Sequence, residues 1–423
     1  MLAALNHNNR NRNDLRTRVI LLRHGQSTYN SLGLYQGCSD RPNLTELGRH
    51  QAQLTGEFLQ GIAFDAIYAS PLQRAMETAI ESLQAIDPTI DPITTQLHVS
   101  IAHQLRETDL PNWQGLPFQF VKEEFPEAYR CWKHTPHQFW MEVGGSEETE
   151  ADTTSGNQTP NAKQKFFPAL DLYDRVQQFW QEILPRHIGQ TILIVCHGGT
   201  NRALISTALG ITPDRYHAIE QSNCGLSVLN FADGRLESGQ LEVMNSATHV
   251  GETLPQIKEG ETGQRLFLIP AEMSDRHQMF NLIHMLKSEA IDFSINTDRS
   301  HKIAQQILQY HPKAIQLEAL REDFLQLWQR SLDIKNQAPC DRLHTGIVVA
   351  HRDAISHFIE RVLGITNTQS GRLSIQTGTV SVIRYPGSGQ PPLLQAMNVH
   401  LSSEFIARIK FANSKIDLPF AAS

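Results

Sequence analysis

The sequence lacks the features of several protein classes. Its longest apolar runs are strand-sized, such as TILIVC at 191 to 196, whereas a membrane helix needs about 18 apolar residues. The 5 cysteines show no CxxC spacing and leave one unpaired, so neither a disulfide framework nor a zinc site is predicted. The polar start, MLAALNHNNRNRNDLRTR, has no apolar signal segment. We therefore expect a cytoplasmic protein without a membrane partner.

Positive charge is also scarce. The formal net charge is −7 and the sequence pI is about 6.2, whereas nucleic-acid binding usually needs a broad basic face. We expect no nucleic-acid partner, and any site for an anion must be local. With 423 residues, 40% of them hydrophobic, the chain is expected to form two or three globular units.

Short apolar segments alternate with helix-like segments. RVILL (18 to 22), FDAIYA (64 to 69) and TILIVC are each followed by a stretch of helical character. This alternation is typical of a mostly parallel sheet that is covered by helices on both faces. The sequence therefore predicts an α/β fold.

The chain also repeats itself. TILIVCHGGTNRALISTALGI (191 to 211) and GIVVAHRDAISHFIERVLGI (346 to 365) each contain a strand, a histidine at its end and a helix that closes on Leu-Gly-Ile. RVILLRHGQS recurs as RLFLIPAEMS (265 to 274), and FDAIYAS recurs as IDFSINT (291 to 297), in the same order. We interpret this order as a tandem duplication.

The duplication suggests domain boundaries. We expect a flexible tail at residues 1–17 and a catalytic first domain at 18–250, which contains a polar mobile insertion at 144–165. A linker at 251–263 would lead to a second domain at 264–423.

The second copy has lost chemistry that the first retains. Pro270-Ala271 aligns with Arg23-His24, and His301 aligns with Arg74, although Glu322 and His351 persist. The side chains of proline and alanine contain neither a nucleophilic atom nor a hydrogen-bond donor. We predict a degenerate, non-catalytic domain that supports the first; binding of a regulator is the alternative.

In the first copy, polar residues follow strands whose carboxyl ends meet at one edge of the sheet. Ligands bind at that edge in open α/β folds, and Arg23, His24 and His197 all lie there. In ASPLQRAMETA, Ser70 is interpreted as an N-cap that forms a capping box with Gln73. Arg74 would then lie in the first helical turn, where the helix dipole disfavours a cation unless an anion is bound nearby.

These groups match a phosphoryl group. Gly198 and Gly199 can expose backbone amides at a second helix start, and arginine offers permanently charged, bidentate donors. A neutral imidazole can attack phosphorus and form a phosphohistidine. Glu107 of LRETDL is the candidate general acid for the leaving alkoxide.

Jointly, LLRHGQSTYN, ASPLQRAMETA, LRETDL and CHGGTNRALI closely resemble the motifs of the histidine phosphatase superfamily, also called phosphoglycerate-mutase-like. The resemblance covers about residues 18 to 248 and implies tandem three-layer αβα domains, the second copy degenerate. It implies the following site residues: His24 as the phosphorylated nucleophile, Arg23, Arg74, His197 and Gly198 around the phosphate, Glu107 as the proton donor, Asn30 beside the phosphate, and Gln36 and Gly37 near the distal part of the substrate. It also implies that no metal or organic cofactor is required.

Within that superfamily, three features are similar to the group of 2-carboxy-D-arabinitol-1-phosphatases and their cyanobacterial relatives. They are LRETDLPNWQGL, EQSNCGLSVLNF and the degenerate second copy. The likeness implies a small phosphorylated sugar acid as substrate, with 2-carboxy-D-arabinitol 1-phosphate as the first choice.

Three alternatives remain open. Phosphoglycerate mutases of this superfamily carry an arginine directly after the acid and an Arg-Arg pair after a tryptophan; here Thr108 and Lys133-His134 stand in those places, which favours a hydrolase. A broad-specificity sugar-phosphate phosphatase is the second alternative. The third is a non-enzymatic protein that binds phosphorylated ligands. The sequence leaves the oligomeric state open, a dimer included.

Overall fold

A computed structural model describes residues 16–89, 98–144, 164–257, 260–273, 276–296, 300–318, 342–366, 371–387 and 389–401. Most of the predicted insertion at 144–165, the tail up to residue 15 and Glu322 lie outside these described residues. Nothing below concerns them.

The first half of the chain contains eight strands within the described residues: β1 (Arg16–Arg23), β2 (Ala66–Ala69), β3 (Ser100–Ile101), β4 (Met141–Val143), β5 (Gln164–Phe166), β6 (Thr191–Cys196), β7 (Leu226–Ala232) and β8 (Gln240–Ser246). Its helices are α1 (Thr28–Leu32), α2 (Glu46–Leu59), α3 (Gln73–Ile86), α4 (Phe118–Glu124), α5 (Pro126–His134), α6 (Pro168–Ile183) and α7 (Gly198–Leu209).

The second half continues with β9 (Gly263–Pro270), β10 (Phe293–Asn296), β11 (Ile315–Glu318), β12 (Leu343–Ala350), β13 (Val380–Pro386) and β14 (Leu393–Val399). Its helices are α8 (Arg276–Leu286), α9 (His301–Leu308) and α10 (Arg352–Leu363).

Both halves have the same strand topology. Within the described residues, 12 strands form one sheet in the order β11-β10-β12-β9-β13-β14-β8-β7-β1-β6-β2-β3, and β4 and β5 form a separate hairpin. Apart from the β4–β5 hairpin, the first four strands of each half in chain order (β1, β2, β3 and β6; β9, β10, β11 and β12) pair in parallel with one another. The last two strands of each half (β7 and β8; β13 and β14) pair antiparallel. The predicted α/β fold with a tandem repeat is confirmed.

Helices cover both faces of this sheet, which explains why the central strands read as continuous apolar runs. In β1, Ile20 and Leu22 pack with residues of α2 and α3. Val19 and Leu21 point to the opposite face and pack with residues of α6 and α7. Each such fully buried side chain contributes about 1.5–3 kcal/mol to folding. Three layers result, as the resemblance implied.

The apolar core on one face continues from the first half into the second. Leu204 and Leu209 of α7 belong to the same buried cluster as Leu266 of β9 and Ile359 of α10. On the opposite face the second half has a core of its own between its strands and α8 and α9. The two halves therefore share one hydrophobic layer, although the sequence suggested two separate sheets.

Strands β8 and β14 join the two halves edge to edge, and we call this pairing the joint. It is antiparallel, with Met244 opposite Met397. Asn245 and Asn398 lie at equivalent positions with φ of 55° and 56°, a left-handed conformation that asparagine tolerates better than most residues. Their side chains cross the joint reciprocally: Asn245 donates to the Gln395 carbonyl at 2.8 Å, and Asn398 donates to the Glu242 carbonyl at 2.6 Å.

Two sequence-based expectations about the environment can be compared with the structure. No helix in the described part of the chain is long and apolar enough to cross a membrane. The cysteines in that part, Cys38, Cys131, Cys196 and Cys224, are free thiols.

Candidate active site

The carboxyl ends of β1 and β6 bring two histidines together. Arg23 and Cys196 are opposite in the parallel register, and the amide of His24 donates to the Cys196 carbonyl at 2.9 Å. The next residues, His24 and His197, are therefore neighbours, with ring centroids 5.2 Å apart. The predicted meeting of these motifs at one edge of the sheet is present in the structure.

The ring of His24 is buried and held in one orientation. Its Nδ1 lies 2.7 Å from the Gly25 carbonyl, and a carbonyl can only accept, so this contact assigns the proton to Nδ1 and leaves a lone pair on Nε2. Burial, followed by the charges of Arg74 and Arg23, holds the pKa of His24 well below its usual 6.5. The imidazole is therefore neutral and nucleophilic at neutral pH.

The glycine of the Arg-His-Gly motif has a packing reason. A Cβ on Gly25 would lie 2.3 Å from the backbone oxygen of Gly48, closer than any real contact. The Gly25 amide also donates to Thr78 Oγ1 at 3.0 Å. Close approach of α2 to this turn thus requires glycine beside His24.

Arg74 lies in the first turn of α3, as predicted, and is fully buried. Its Nη1 and Nη2 donate to the carbonyls of Ser39 and Gly37 at 2.8 and 3.0 Å. Its Nε has no hydrogen-bond partner in the part of the chain that the structure describes. Burial lowers the pKa of this guanidinium, while the carboxylate of Glu107 raises it.

The predicted capping box at Ser70 and Gln73 is wrong. Helix α3 begins at Gln73 without a side-chain cap from its N-cap residue, and the Gln73 amide donates instead to Asp40 Oδ1 at 2.6 Å. Ser70 is buried, and its Oγ lies 2.7 Å from Nε2 of His197. A serine before a proline fitted both roles in the sequence, and only the position of β6 beside β2 decides between them.

His197 is the N-cap residue of α7 and is fully buried. Its Nε2 contacts Ser70, and its Nδ1 has no hydrogen-bond partner within the described ranges. Burial and the nearby Arg74 hold the pKa of His197 well below 6.5. If Ser70 donates to Nε2, Nδ1 carries the proton and is free to donate to a ligand.

Arg23 lies against the start of α7. A Cβ on Gly198 would be 3.3 Å from Arg23 Nε, so the glycine allows this approach. Arg23 Nη1 donates to the Gln221 carbonyl at 2.6 Å, while its buried Nε has no partner among the residues that the structure describes. Burial lowers the pKa of Arg23 to about 10, with Glu107 acting in the opposite direction. The side chain stays cationic at neutral pH.

Glu107 is held by backbone amides at both oxygens. Thr108 N donates to Oε1 at 2.7 Å, and Gly199 N donates to Oε2 at 3.1 Å. A Cβ on Gly199 would lie 2.2 Å from Oε1, which explains the second glycine of the His-Gly-Gly motif. The Gly199 amide, expected to face a ligand, binds this carboxylate instead.

The backbone around Glu107 is fixed from outside. Arg175 donates to the carbonyls of Arg106 and Glu107 at 3.1 and 3.3 Å, and Cys38 Sγ approaches the Glu107 carbonyl at 3.0 Å. These contacts hold the backbone that carries the Glu107 side chain. Arg175 could not be predicted from the sequence pattern, because it lies 68 residues away on α6.

The remaining predicted residues surround this group. Asn30 Oδ1 accepts from Ser27 and from Asn223 Nδ2, the latter at 3.2 Å. Gln36 Oε1 accepts from Ser27 Oγ at 2.9 Å, and Gly37, with φ of 52°, contributes its carbonyl to Arg74. The structure thus ties Gln36 and Gly37 to phosphate-side residues, and their contact with a substrate stays a prediction.

Sequence reasoning missed one segment of the site, residues 219–224, which we call the return loop because it leads back into β7. Gln221 binds Arg23 through its carbonyl, and Asn223 Nδ2 donates to the His24 carbonyl at 3.1 Å. Its Ser-Asn-Cys-Gly letters offered only a family likeness, with no chemical pattern of their own.

At the equivalent edge of the second half, the strand register confirms the sequence alignment. Pro270 lies opposite Ala350 as Arg23 lies opposite Cys196. His351 points outward, half exposed, with Nε2 2.8 Å from Glu272. His301 begins α9 and contacts Gln305. Pro270, Ala350, His351 and His301 therefore form no buried cationic pocket.

Metal chemistry was not predicted from the sequence. Among the residues that the structure describes, no group of three or more His, Cys, Asp and Glu side chains is placed to hold a metal ion. The expected independence from cofactors stays a prediction.

Comparison with known proteins gives one family. The sequence profile of the histidine phosphatase superfamily (branch 1) matches residues 19–154 and 146–245. A 2-carboxy-D-arabinitol-1-phosphatase of Triticum aestivum is 34% identical over 214 residues, which are 51% of this chain and 37% of that protein. Phosphoserine phosphatase 1 of Hydrogenobacter thermophilus is 30% identical over 235 residues, 56% of this chain and 95% of that protein.

The matched region is confined to the first half. The alignment covers less than two fifths of the wheat relative. Among solved structures, one described as mycobacterial hydrolase 1 is 25% identical, with a TM-score of 0.42 over 55% of this chain and 99% of that one.

Proposed function

Because the chain belongs to the histidine phosphatase superfamily, we propose that it hydrolyses phosphomonoesters through a phosphohistidine on His24. One observation carries the proposal: a neutral, oriented imidazole lies near three buried nitrogen atoms that have no hydrogen-bond partner among the described residues. These atoms are Arg23 Nε, Arg74 Nε and His197 Nδ1. Buried donors of this kind are costly unless a ligand satisfies them. A phosphoryl group supplies three acceptor oxygens and two negative charges.

In the first step, the lone pair on His24 Nε2 attacks phosphorus and the bond between phosphorus and the ester oxygen breaks. Glu107, in its protonated form, gives its proton to the leaving alkoxide. Arg23, Arg74 and His197 donate to the three non-bridging oxygens and stabilise the charge that is spread over them in the transition state. The proton of His24 stays on Nδ1 and keeps its hydrogen bond to the Gly25 carbonyl, which stabilises the positive ring that forms.

In the second step, the oxygen of a water molecule attacks phosphorus while the Glu107 carboxylate takes a proton from that water. The bond between phosphorus and Nε2 breaks, its electron pair returns to the ring, and inorganic phosphate leaves. The enzyme is restored with neutral His24 and protonated Glu107. Atoms and charges balance without a metal or organic cofactor.

For the substrate we propose a small phosphorylated sugar acid, with 2-carboxy-D-arabinitol 1-phosphate as first choice. The wheat relative supports it. Thr108 supports hydrolysis over mutase chemistry: it stands where superfamily mutases have arginine, and its Oγ1 is bonded to buried Tyr216 at 2.6 Å. The Hydrogenobacter relative makes phosphoserine the specific competing candidate.

Labelling tests the chemical step. Full-length protein is mixed with a 32P-labelled substrate and quenched, and the adduct is assayed for acid lability. We expect label on the wild type and none on His24→Ala. Label that survives acid, or label on His24→Ala, contradicts a phosphohistidine at this position.

A substrate panel tests the specificity. We expect 2-carboxyarabinitol 1-phosphate to be hydrolysed with a higher kcat/KM than phosphoserine, 3-phosphoglycerate or simple sugar phosphates. A dominant 2-phosphoglycerate product from 3-phosphoglycerate identifies a mutase instead. Equal kcat/KM values across the panel identify a broad-specificity phosphatase.

A further inference from the structure

The return loop holds the phosphate-binding side of the site. The Gln221 carbonyl accepts from Arg23 Nη1 at 2.6 Å. Asn223 Nδ2 donates to the carbonyl of His24 at 3.1 Å and to Asn30 Oδ1 at 3.2 Å. The amide of Cys224, at φ of 52°, reaches the His24 carbonyl at 3.4 Å. Any shift of this loop therefore moves the Arg23 guanidinium and the backbone of His24.

The loop is itself bound to strand β14 of the second half. Glu220 N donates to the Leu394 carbonyl at 2.9 Å, and Gln395 Nε2 donates to Glu220 Oε2 at 2.8 Å. Leu394 and Gln395 belong to β14 and are buried. These two contacts fix the start of the return loop to a strand of the half that lacks the catalytic groups.

Asn245 connects β14 with the middle of the loop. Its Oδ1 accepts from the Ser222 amide at 2.6 Å, and its Nδ2 donates to the Gln395 carbonyl at 2.8 Å. A Cβ on Gly225 would be 2.4 Å from this Oδ1, so the glycine after Cys224 makes room for the contact. Ser222 Oγ also donates to Glu252, in the segment that leads to β9, at 2.6 Å.

The same arrangement recurs in the second half, where it holds nothing catalytic. Ser374 N donates to the Leu241 carbonyl at 3.0 Å. Asn398 Oδ1 accepts from the Gln376 amide at 3.1 Å, and its Nδ2 donates to the Glu242 carbonyl at 2.6 Å. The chain therefore contains two equivalent asparagines in equivalent backbone conformations, of which only Asn245 leads to Arg23.

We propose that the second half positions the phosphate-binding groups of the first, with Gln395 and Asn245 as positioning residues that act through the return loop on Arg23 and His24. The proposal rests on the proposed function, because it assigns a role to contacts around that site. It gives the degenerate copy a task that needs no active site of its own. A merely supportive domain would stabilise the fold without affecting phosphate affinity selectively.

The matched pair Asn245→Gly and Asn398→Gly tests this. Glycine accepts the left-handed backbone at both positions, so only the side-chain contacts are lost. In the full-length chain, hydrolysis of p-nitrophenyl phosphate, the inhibition constant of inorganic phosphate, and Tm are compared. We expect similar decreases in Tm, a kcat/KM about 10- to 100-fold lower for Asn245→Gly with weaker phosphate inhibition, and values within about twofold of wild type for Asn398→Gly.

Equal activity of the two variants, or losses in both that follow Tm, overturns the proposal. The wild type serves as the separate test of function: if it neither turns over p-nitrophenyl phosphate nor forms a phosphoenzyme, the proposed function fails. The positioning proposal is then decided by phosphate affinities of the two variants from calorimetry, with equal affinities counting against it.

A second pair of variants tests the proposal in case a variant of the first pair does not fold. Gln395→Glu places a carboxylate against Glu220 and is expected to weaken phosphate inhibition about tenfold or more. Adding Glu220→Gln exchanges donor and acceptor and is expected to restore the wild-type value. Absence of a defect in Gln395→Glu, or no recovery in the double variant, contradicts the role of Gln395.

Discussion

The two halves of the chain share a framework and differ at one edge of it. Strand order, the buried strands and the Asn245 and Asn398 contacts are repeated. At the carboxyl edge, however, the partly buried Arg23 corresponds to Pro270, and the buried His197 corresponds to the half-exposed His351. The two halves therefore keep the same strand framework but differ in the chemistry of the side chains at this edge.

The difference shows which groups the framework itself requires. Apolar residues at β9 and β12 still fill a core after the site residues are lost. A buried guanidinium without a ligand costs free energy, because charged groups lose hydration on burial. Once catalysis is no longer selected, proline and alanine at this edge remove that cost. The guanidinium groups of Arg23 and Arg74, whose buried Nε atoms have no hydrogen-bond partner among the described residues, thus indicate function.

The largest expected effect comes from the nucleophile. His24→Ala should lower kcat for p-nitrophenyl phosphate by at least about 10³-fold, because no other described side chain at the site is placed to form the intermediate. His351→Ala, at the equivalent edge of the second half, should leave the rate within about twofold. Steady-state assays of both variants check this. Comparable losses in the two would mean that both halves take part in the reaction.

The next effect concerns proton donation. Glu107→Gln should lower kcat about 10²- to 10⁴-fold for an alkyl phosphate. The rate of phosphoenzyme formation, measured by rapid quench, should fall less for p-nitrophenyl phosphate, since its leaving group needs no proton. Glu272→Gln, at the second edge, is the control and should change neither rate. If phosphoenzyme formation slows by the same factor for both substrates in Glu107→Gln, the side chain is not the general acid.

A third comparison uses the arginine. Arg74→Lys keeps the charge but cannot reproduce the contacts with Ser39 and Gly37 together with the free Nε. We expect kcat/KM to fall about 10- to 100-fold. His301→Ala, in the equivalent helix of the second half, should not change it. Retention of full activity in Arg74→Lys would show that charge alone suffices.

The pH dependence follows from the buried imidazoles. Both His24 and His197 have a pKa well below 6.5 in the folded protein. Below pH 6.5 the unfolded chain therefore binds more protons, so stability is lost as pH falls from 6.5 toward the folded pKa values. The double variant His24→Ala/His197→Ala should show a shallower decrease in Tm over this range. An unchanged slope would mean that these rings titrate normally.

The smallest effect is expected from an attempted restoration. Pro270→Arg with Ala271→His, introduced into His24→Ala, should give no activity above that of His24→Ala. The second edge still has His301 in place of Arg74, and His351 is turned toward Glu272. A recovered rate would show that the second half needs only its nucleophile and one arginine.

The sequence predicted more of the candidate site than of the way in which the two halves join. Apolar runs and strand-end positions sufficed to bring Arg23, His24 and His197 together, because strand periodicity and parallel pairing determine those positions. The role of Ser70 and the anchoring of Glu107 by Gly199 were missed, since both depend on side-chain contacts between separate elements. The single sheet was also not predicted, because nothing about Met244 and Met397 in the sequence indicates that the edge strands β8 and β14 pair with each other.

The reciprocal joint between β8 and β14 has the form of a two-fold dimer interface inside a single polypeptide. Exposed strand edges readily recruit further strands, and here each half occupies the edge that the other would leave bare. Self-association of two chains would therefore have to use a different surface. Conversely, a catalytic half expressed alone would expose this edge and become prone to pairing with itself.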